Sequence, residues 1–596
     1  MRFQRLASYF SQLESTASRL EITRILARLF KEAECEEIGK ICYLSLGRLA
    51  PLYETIEFNL AEKMMLKVLA QSFGEKKEEI KKKYKQVGDL GELAYRIKTQ
   101  QTKRINNRSK ISISYVYGKL LEIAGESGEG SVERKINRMM ALLSEMDALS
   151  IKYVVRITLG KLRLGFSDMT IMDALSWLLV GDKSKRQEIE AAYQVRVDVG
   201  QIARLVKKKG IFGLKDVSVQ VGTPVMPALC QRLPNVEEMI EKMCPSGTEQ
   251  VAVEPKYDGA RLQIHFSKKK KWQLKEDQLA FDFQPAGFVR TFTRNLENNT
   301  HMFPDLVRAI FKETKVSEAI LDCEAVGYDP RSGKLLPFQE TMKRKRKYEI
   351  TKTAQSVPLR FYCFDIIYKD GKDLLKMPFA QRREVLTRIV SASGKTITIS
   401  PQIVTCNPGE IRSYHDEQIR KGLEGVVVKK WDAPYDPGRR GYTWVKFKAE
   451  KGKKGAGLAD TLDCLVMGCY RGKGKRTRFG IGAFLVGIRN KDIYQTVSKI
   501  GTGLSDEQWQ EMYRRCEEAK TDKKPTEYQV PKELIPDSWC YPEIVVEIEA
   551  DNITKSPLHA AKYALRFPRL VRFRDDKSPD QVTTIKETEN LNKLQR

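Results

Sequence analysis

Lys256-Tyr257-Asp258-Gly259-Ala260-Arg261 decides how the rest of the chain is read. One lysine, one carboxylate, one glycine and one arginine fall within a single turn's reach. A protonated lysine is a poor nucleophile, and burial beside other cations lowers its pKa and frees the amine. Asp258 can orient that amine or a nucleotide sugar. Gly259 lets the backbone approach a ligand closely, and Arg261 offers a fork of donors suited to phosphate. Together they point to a lysine that attacks phosphorus and carries a nucleotide. Taken alone, the six residues read equally well as a turn between strands with an exposed lysine.

The surrounding sequence adds weight. Glu254 lies two residues before Lys256, so on a strand the two share a face. Phe292-Thr293-Arg294-Asn295 brings a second arginine. Leu321-Asp322-Cys323-Glu324-Ala325-Val326 sets carboxylates in an apolar strand, where an inward glutamate is costly unless paired or bound to metal. Phe361-Tyr362-Cys363-Phe364-Asp365 offers an aromatic able to stack on a base. Glu424-Gly425-Val426-Val427-Val428-Lys429 ends a buried strand with a lysine. Arg440 precedes Trp444-Val445-Lys446-Phe447-Lys448, in which Lys446 and Lys448 again share a strand face.

Bulk properties bound the function. The 596 residues suffice for about three or four domains. A formal net charge of +28 favours a polyanionic partner, nucleic acid ahead of a membrane surface. No run approaches the roughly 18 apolar residues of a membrane span, and the N-terminus does not read as a signal peptide. The 11 cysteines include no Cys-x-x-Cys pair, which argues against zinc or a disulfide framework and suits a reducing, cytoplasmic setting. With four histidines in the chain, a His-centred metal or triad mechanism is disfavoured.

The first third reads as helical. Leu20, Ile22, Ile25, Leu26, Leu29 and Phe30 fall near helical spacing. Arg156-Ile157-Thr158-Leu159-Gly160-Lys161-Leu162-Arg163-Leu164-Gly165 interleaves basic and apolar residues in a pattern able to meet phosphates. From a linker at 217–227 onward, strands are predicted at 251–253, 262–266, 320–326, 359–368, 426–430 and 444–448. Helices at 303–313 and 379–389 lie between them, making an α+β domain on antiparallel sheets. The glycine- and lysine-rich stretch 451–457 reads as a flexible hinge. Beyond it, strands at 462–470, 482–489, 493–500 and 544–550 fit a five-stranded OB-type barrel. The polar tail after Pro579 is expected to fray.

In this order the segments resemble the nucleotidyltransferase motifs of covalent ligases and mRNA capping enzymes. They resemble more closely the ATP-dependent DNA ligases of the archaeal and eukaryotic replicative type. Arg156 to Gly165 is similar to the signature of that family's helical DNA-binding domain, and 565–577, ending Arg574-Asp575-Asp576-Lys577, to its last barrel motif. The resemblance covers essentially the whole chain. It implies a multidomain protein: an all-α DNA-binding domain (1–220), an α+β nucleotidyltransferase, or adenylation, domain (221–449) and a β-barrel OB-fold domain (450–596).

The resemblance also implies roles. Lys256 attacks the α-phosphorus of ATP and becomes lysyl-AMP. Glu254 accepts from the adenine amino group, and Arg261 and Arg294 hold ribose and phosphate. Phe364 stacks on adenine. Glu324 and Glu424 bind or orient Mg²⁺. Arg440, Lys446 and Lys448 contact the α-phosphate, while Arg574 and Lys577 orient the leaving pyrophosphate. The implied substrate is nicked double-stranded DNA, in replication, repair and recombination, with the protein a monomer at the nucleoid. A sliding clamp is an expected partner, though residues 4–10 imitate the clamp-binding peptide only loosely, with Ala7 at its aliphatic position. An NAD-dependent ligase, an RNA ligase or capping enzyme, and a DNA-binding scaffold with a decayed site remain the alternatives.

Overall fold

The computed structural model describes residues 1–594 apart from 102–110, 163, 234, 271–285, 345–353, 355, 439, 449–459 and 473–478, and for Gln339, Arg440 and Leu594 the backbone alone. The expected hinge at 451–457 therefore lies outside the described residues.

Helices occupy the chain from Phe3–Glu14 to Val199–Lys209. The helix Arg19–Glu32 starts where the Ser18 side chain accepts the Glu21 N–H, relieving an unpaired first-turn donor. Ile22, Ile25, Leu26, Leu29 and Phe30 bury its apolar stripe, while Leu20 is exposed. Two readings are corrected here. Of the basic stretch beginning at Arg156, Arg156 itself is spent inside the domain, buried and paired with Glu14 at 2.8 Å and Asp89 at 3.2 Å, while the Lys161 side chain is exposed. Lys161 pairs with Glu62. Residues 4–10 lie in the helix Phe3–Glu14, with Leu6, Ala7, Tyr9 and Phe10 in the core. The helical period turns those aromatics inward, where no partner peptide groove can receive them.

The central region is built from Leu229–Arg232 (β1), Val251–Pro255 (β2), Ala260–Ser267 (β3), Phe288–Thr293 (β4), Glu318–Gly327 (β5), Leu359–Lys369 (β6), Lys372–Asp373 (β7), Ile397–Ile399 (β8), Ile403–Thr405 (β9), Gly425–Lys430 (β10) and Arg440–Lys448 (β11). They form two sheets, in the orders β1-β11-β10-β2-β9 and β4-β3-β5-β6-β7, with β8 pairing β6. Most pairings are antiparallel; β1 with β11 and β8 with β6 are parallel. Residues 256–259 join β2 in one sheet to β3 in the other. The hexad thus sits where the chain crosses between the two sheets. Tyr53 and Glu54 of the helical region reach this region, Tyr53 edge-on to Phe292 and Glu54 paired with Arg290 at 3.1 Å.

After residue 459 a third set of strands follows. Leu462–Arg471 pairs with Ile481–Asn490 on one edge and with Val545–Glu549 on the other, and Ile481–Asn490 pairs with Ile493–Ile500. The helix Asp506–Glu518, started by a Ser505/Gln508 capping box, covers the core through Trp509, Met512 and Cys516. The expected frayed tail is also corrected. Ile585–Leu594 is a helix, and Ile585 and Leu591 pack on that core with Thr588 fully buried. An apolar stripe at a spacing of three lets a polar-looking segment dock.

Candidate functional site

The cleft between the two sheets encloses about 790 Å³. Glu254, Lys256, Arg261, Arg294, Glu324, Phe364, Glu424, Lys446 and Lys448 all line it. Sheet register explains the convergence. Across β2, β10 and β11, Glu254 faces Val427 and Val427 faces Lys446, one row on one face. The alternate residues Val426, Val428, Val445 and Phe447 fill the core behind. In the other sheet Arg261 lies directly opposite Glu324. Arg440 begins β11 opposite Leu229, and its side chain lies outside the described residues. Arg294 follows β4 at the start of a turn pinned by Thr293, whose hydroxyl accepts the N–H groups of Asn295 and Glu297.

The Lys256 amine is held as a cation. Lys256 Nζ lies 2.5 Å from Glu424 Oε2, and Lys448 reaches the same oxygen at 3.2 Å. Burial pulls the Lys256 pKa down, but Glu424 and Glu324 outweigh it and leave the amine above its ordinary value. That reverses the expectation of a lowered lysine: the sequence cannot show that two carboxylates from distant strands meet the amine. Burial raises the Glu424 carboxyl, yet Lys256 and Lys448 hold it below the usual range. Lys446 is pulled down by burial and by Lys256, Lys448 and Arg294 nearby.

Glu324 is pushed up to about 7, by burial before all else, with Lys256 and Arg261 offsetting part of the cost. A half-buried carboxylate facing the cleft with its charge only partly compensated fits a cation. Among the described residues no cluster of three His, Cys, Asp or Glu side chains could hold a metal. Glu324 and Glu424, both lining the cleft, suit an ion such as Mg²⁺, which keeps most of its ligands as water and phosphate oxygens.

Several neighbours were not singled out from sequence. Asp322, fully buried, takes both arms of Arg261 at 2.7 and 3.1 Å, and Arg261 also donates to the Ala228 carbonyl at 2.7 Å. Much of the Arg261 fork is thus committed to Asp322 on the neighbouring strand β5 and to the chain just before β1. Lys429 pairs with Glu254 at 2.8 Å and Arg383 with Glu254 at 3.2 Å. Burial lifts the Glu254 carboxyl above its ordinary value, and these two cations pull it back. Asp322 and Lys429 stood in the quoted motifs; Arg383, on the helix Phe379–Ile389, carried no signal.

At the cleft mouth the last strands contribute Asp551, Arg566, Phe567 and Arg569. Arg566 approaches Asp258 at 3.6 Å. Arg574 and Lys577 are engaged elsewhere, both on Asp463, at 2.9 and 2.6 Å. The structure therefore does not bring that pair to the cleft. Two sheets meeting at a half-buried lysine, with carboxylates and four further cations around it, make a site for a nucleotide phosphate and an amine nucleophile.

Comparison with known proteins gives the family. Family models match at residues 2–176 (DNA ligase N terminus), 283–448 (ATP dependent DNA ligase domain) and 477–577 (ATP dependent DNA ligase C terminal region). A "Probable DNA ligase" of Dictyoglomus turgidum is 42% identical over 98% of this chain and 97% of that protein. A "DNA ligase" of Sulfolobus acidocaldarius is 36% identical over 98% and 97%. A solved structure described as "Pmar-Lig_PreS3" covers 96% of this chain and 99% of its own, with a TM-score of 0.52 at 16% identity, a likeness of fold alone. The chain belongs to the ATP-dependent DNA ligases, enzymes that form phosphodiester bonds using ATP with Mg²⁺.

Proposed function

We propose that this ligase seals 3′-hydroxyl/5′-phosphate nicks in duplex DNA through Lys256. The observation that carries the reading is the Lys256 amine at the crossing of the two sheets, 2.5 Å from Glu424 and lining one cleft with Lys446, Lys448 and Arg294. Lys256 gives up a proton and its nitrogen attacks the α-phosphorus of ATP. An N–P bond forms and pyrophosphate leaves. The 5′-phosphate of the nick then takes the AMP from Lys256, and the 3′-hydroxyl attacks that phosphate and expels AMP. Phosphoryl transfer asks chiefly for in-line positioning and for cations around the equatorial oxygens. Lys446, Lys448 and Arg294 supply those, and Arg440 from β11 completes them. Glu254 receives the adenine amino group, Phe364 stacks on the base, and Arg261 orients the sugar. Glu324 and Glu424 would hold Mg²⁺, which when bound screens the triphosphate.

By this reading residues 1–220 bind DNA, 221–449 carry adenylation and 450–596 form an OB-type barrel. The helical first region, the double sheet and the strand meander joined through Val545–Glu549 support the division. Arg574 and Lys577 meet pyrophosphate only if the barrel turns its other face to the cleft. The enzyme acts as a cytoplasmic, nucleoid-associated monomer. No helix among the described residues is long and apolar enough to cross a membrane. A sliding clamp would have to dock elsewhere than residues 4–10.

Incubation with α-labelled ATP and Mg²⁺ tests the reading, with wild type beside Lys256→Ala. Label surviving denaturation on the wild type alone, followed by sealing of a nicked duplex, is expected. Label on both proteins, or on neither, overturns it.

A further inference from the structure

Glu254 is gripped from two separate elements. Lys429 of β10 donates to its Oε2 at 2.8 Å and Arg383 of the helix Phe379–Ile389 to its Oε1 at 3.2 Å. Both cations are anchored in turn. Lys429 also donates to the Phe364 carbonyl at 3.1 Å, with its ammonium 4.4 Å from the Trp444 ring centre, 4.6 Å from Phe364 and 4.7 Å from Phe379. Arg383 donates its other arm to the Ser400 carbonyl. The side chains of Lys429, Arg383 and Glu254 are 1%, 8% and 3% exposed, so water cannot substitute for these partners. Two charge-assisted hydrogen bonds on opposite oxygens leave the carboxylate no rotation about its last bond.

We propose that Lys429 and Arg383 are positioning residues for base selection, fixing Glu254 as a charged acceptor aimed at position 6 of the purine. The proposal rests on the adenine role of Glu254 given above and adds how selectivity arises. A carboxylate only accepts. A 6-amino purine donates to it, whereas a 6-oxo purine presents another acceptor and leaves a buried charge facing a lone pair. A carboxylate free to turn could evade that clash through a water; one held at both oxygens cannot. The selectivity therefore depends on the grip as much as on Glu254 itself.

The experiment measures Lys256 nucleotidylation and equilibrium binding with ATP and with inosine triphosphate, whose base carries a 6-oxo group and an N1–H where adenine has a 6-amino group and a bare N1. In the wild type ATP is preferred by roughly tenfold or more. Lys429→Met and Arg383→Met raise the KM for ATP and narrow the ATP-to-inosine-triphosphate ratio by a similar factor, while kcat stays within about threefold. Arg383→Lys, which keeps a donor, recovers part of the ratio. A loss of fold alone would lower activity with both nucleotides equally, and the wild-type comparison stands whatever the variants do. Equal use of the two nucleotides by the wild type, or an unchanged ratio in folded Met variants, overturns the proposal. A wild type that labels with neither nucleotide yet binds ATP selectively would instead sink the ligase reading and leave the grip standing.

Discussion

Gly259 accepts no side chain. A Cβ there would stand 2.5 Å from the Ala325 carbonyl oxygen and 2.9 Å from Glu324 Cγ, so the turn carrying Lys256 would be pushed off β5. Gly259→Ala should slow lysine adenylation by roughly 100-fold, the cost of a displacement of about 1 Å at a reacting group. Single-turnover labelling with ATP checks it, and an unchanged rate would show that the turn can shift without moving the amine. His265 gives a second residue-scale prediction. It is fully buried, takes the Gly222 N–H at 3.2 Å and is driven down to about 3 by burial, with Arg290 and Lys270 adding to it. The unfolded chain protonates it near 6.5 and the folded protein does not. Stability is thus whole above about 6.5 and drains away as pH falls toward 3, by about 2 kcal/mol at pH 5. Urea midpoints at pH 7 and pH 5 should diverge in the wild type by that much more than in His265→Gln.

At the scale of elements, the packed helices show what a basic motif can hide. Arg156 sits on the helix Ala148–Thr158 and ties it to Glu14 and Asp89. Arg156→Ala removes charge-assisted bonds to Glu14, which keeps Lys152 and Tyr153, and to Asp89, which keeps the Glu92 N–H, and should cost roughly 2 kcal/mol. Because it touches no phosphate by this geometry, the slope of DNA affinity against salt should not change. A shallower slope would return Arg156 to the DNA interface. Strand positions were legible because short β-rich apolar runs are a local signal: the predicted strands at 251–253, 320–326 and 426–430 lie within β2, β5 and β10. The terminal helix Ile585–Leu594 was not, since its short apolar stripe means little until the strands Asn552–Lys555 and Ile481–Asn490 give it a surface.

For the whole molecule, the +28 charge sets the terms of association with DNA. Neutralising 6–10 phosphates should weaken nick binding by roughly 10³–10⁵ between 50 and 200 mM salt. Filter binding across that range checks this, and a flat response would mean the basic excess is an inert surface. The third set of strands meets the cleft with Arg566, Phe567 and Arg569, while Arg574 and Lys577 stay on Asp463. Which face of a domain turns toward a partner domain is a rigid-body choice, and no periodicity in the chain records it.

The candidate site was therefore legible as a set and not as an arrangement. The residue types of the hexad suggested a lysine nucleophile, and strand spacing put Glu254 with Lys256 and Lys446 with Lys448 on shared faces; the roles expected of Glu324, Glu424, Lys446 and Lys448 came from the resemblance to the ligase family. Only the tertiary structure decided that Glu424 would hold Lys256 as a cation, that Asp322 would take the arms of Arg261, and that Arg383 and Lys429 would grip Glu254. Each of those pairs joins residues more than 60 positions apart in sequence. Electrostatic coupling depends on separation and burial in space, and local sequence carries neither.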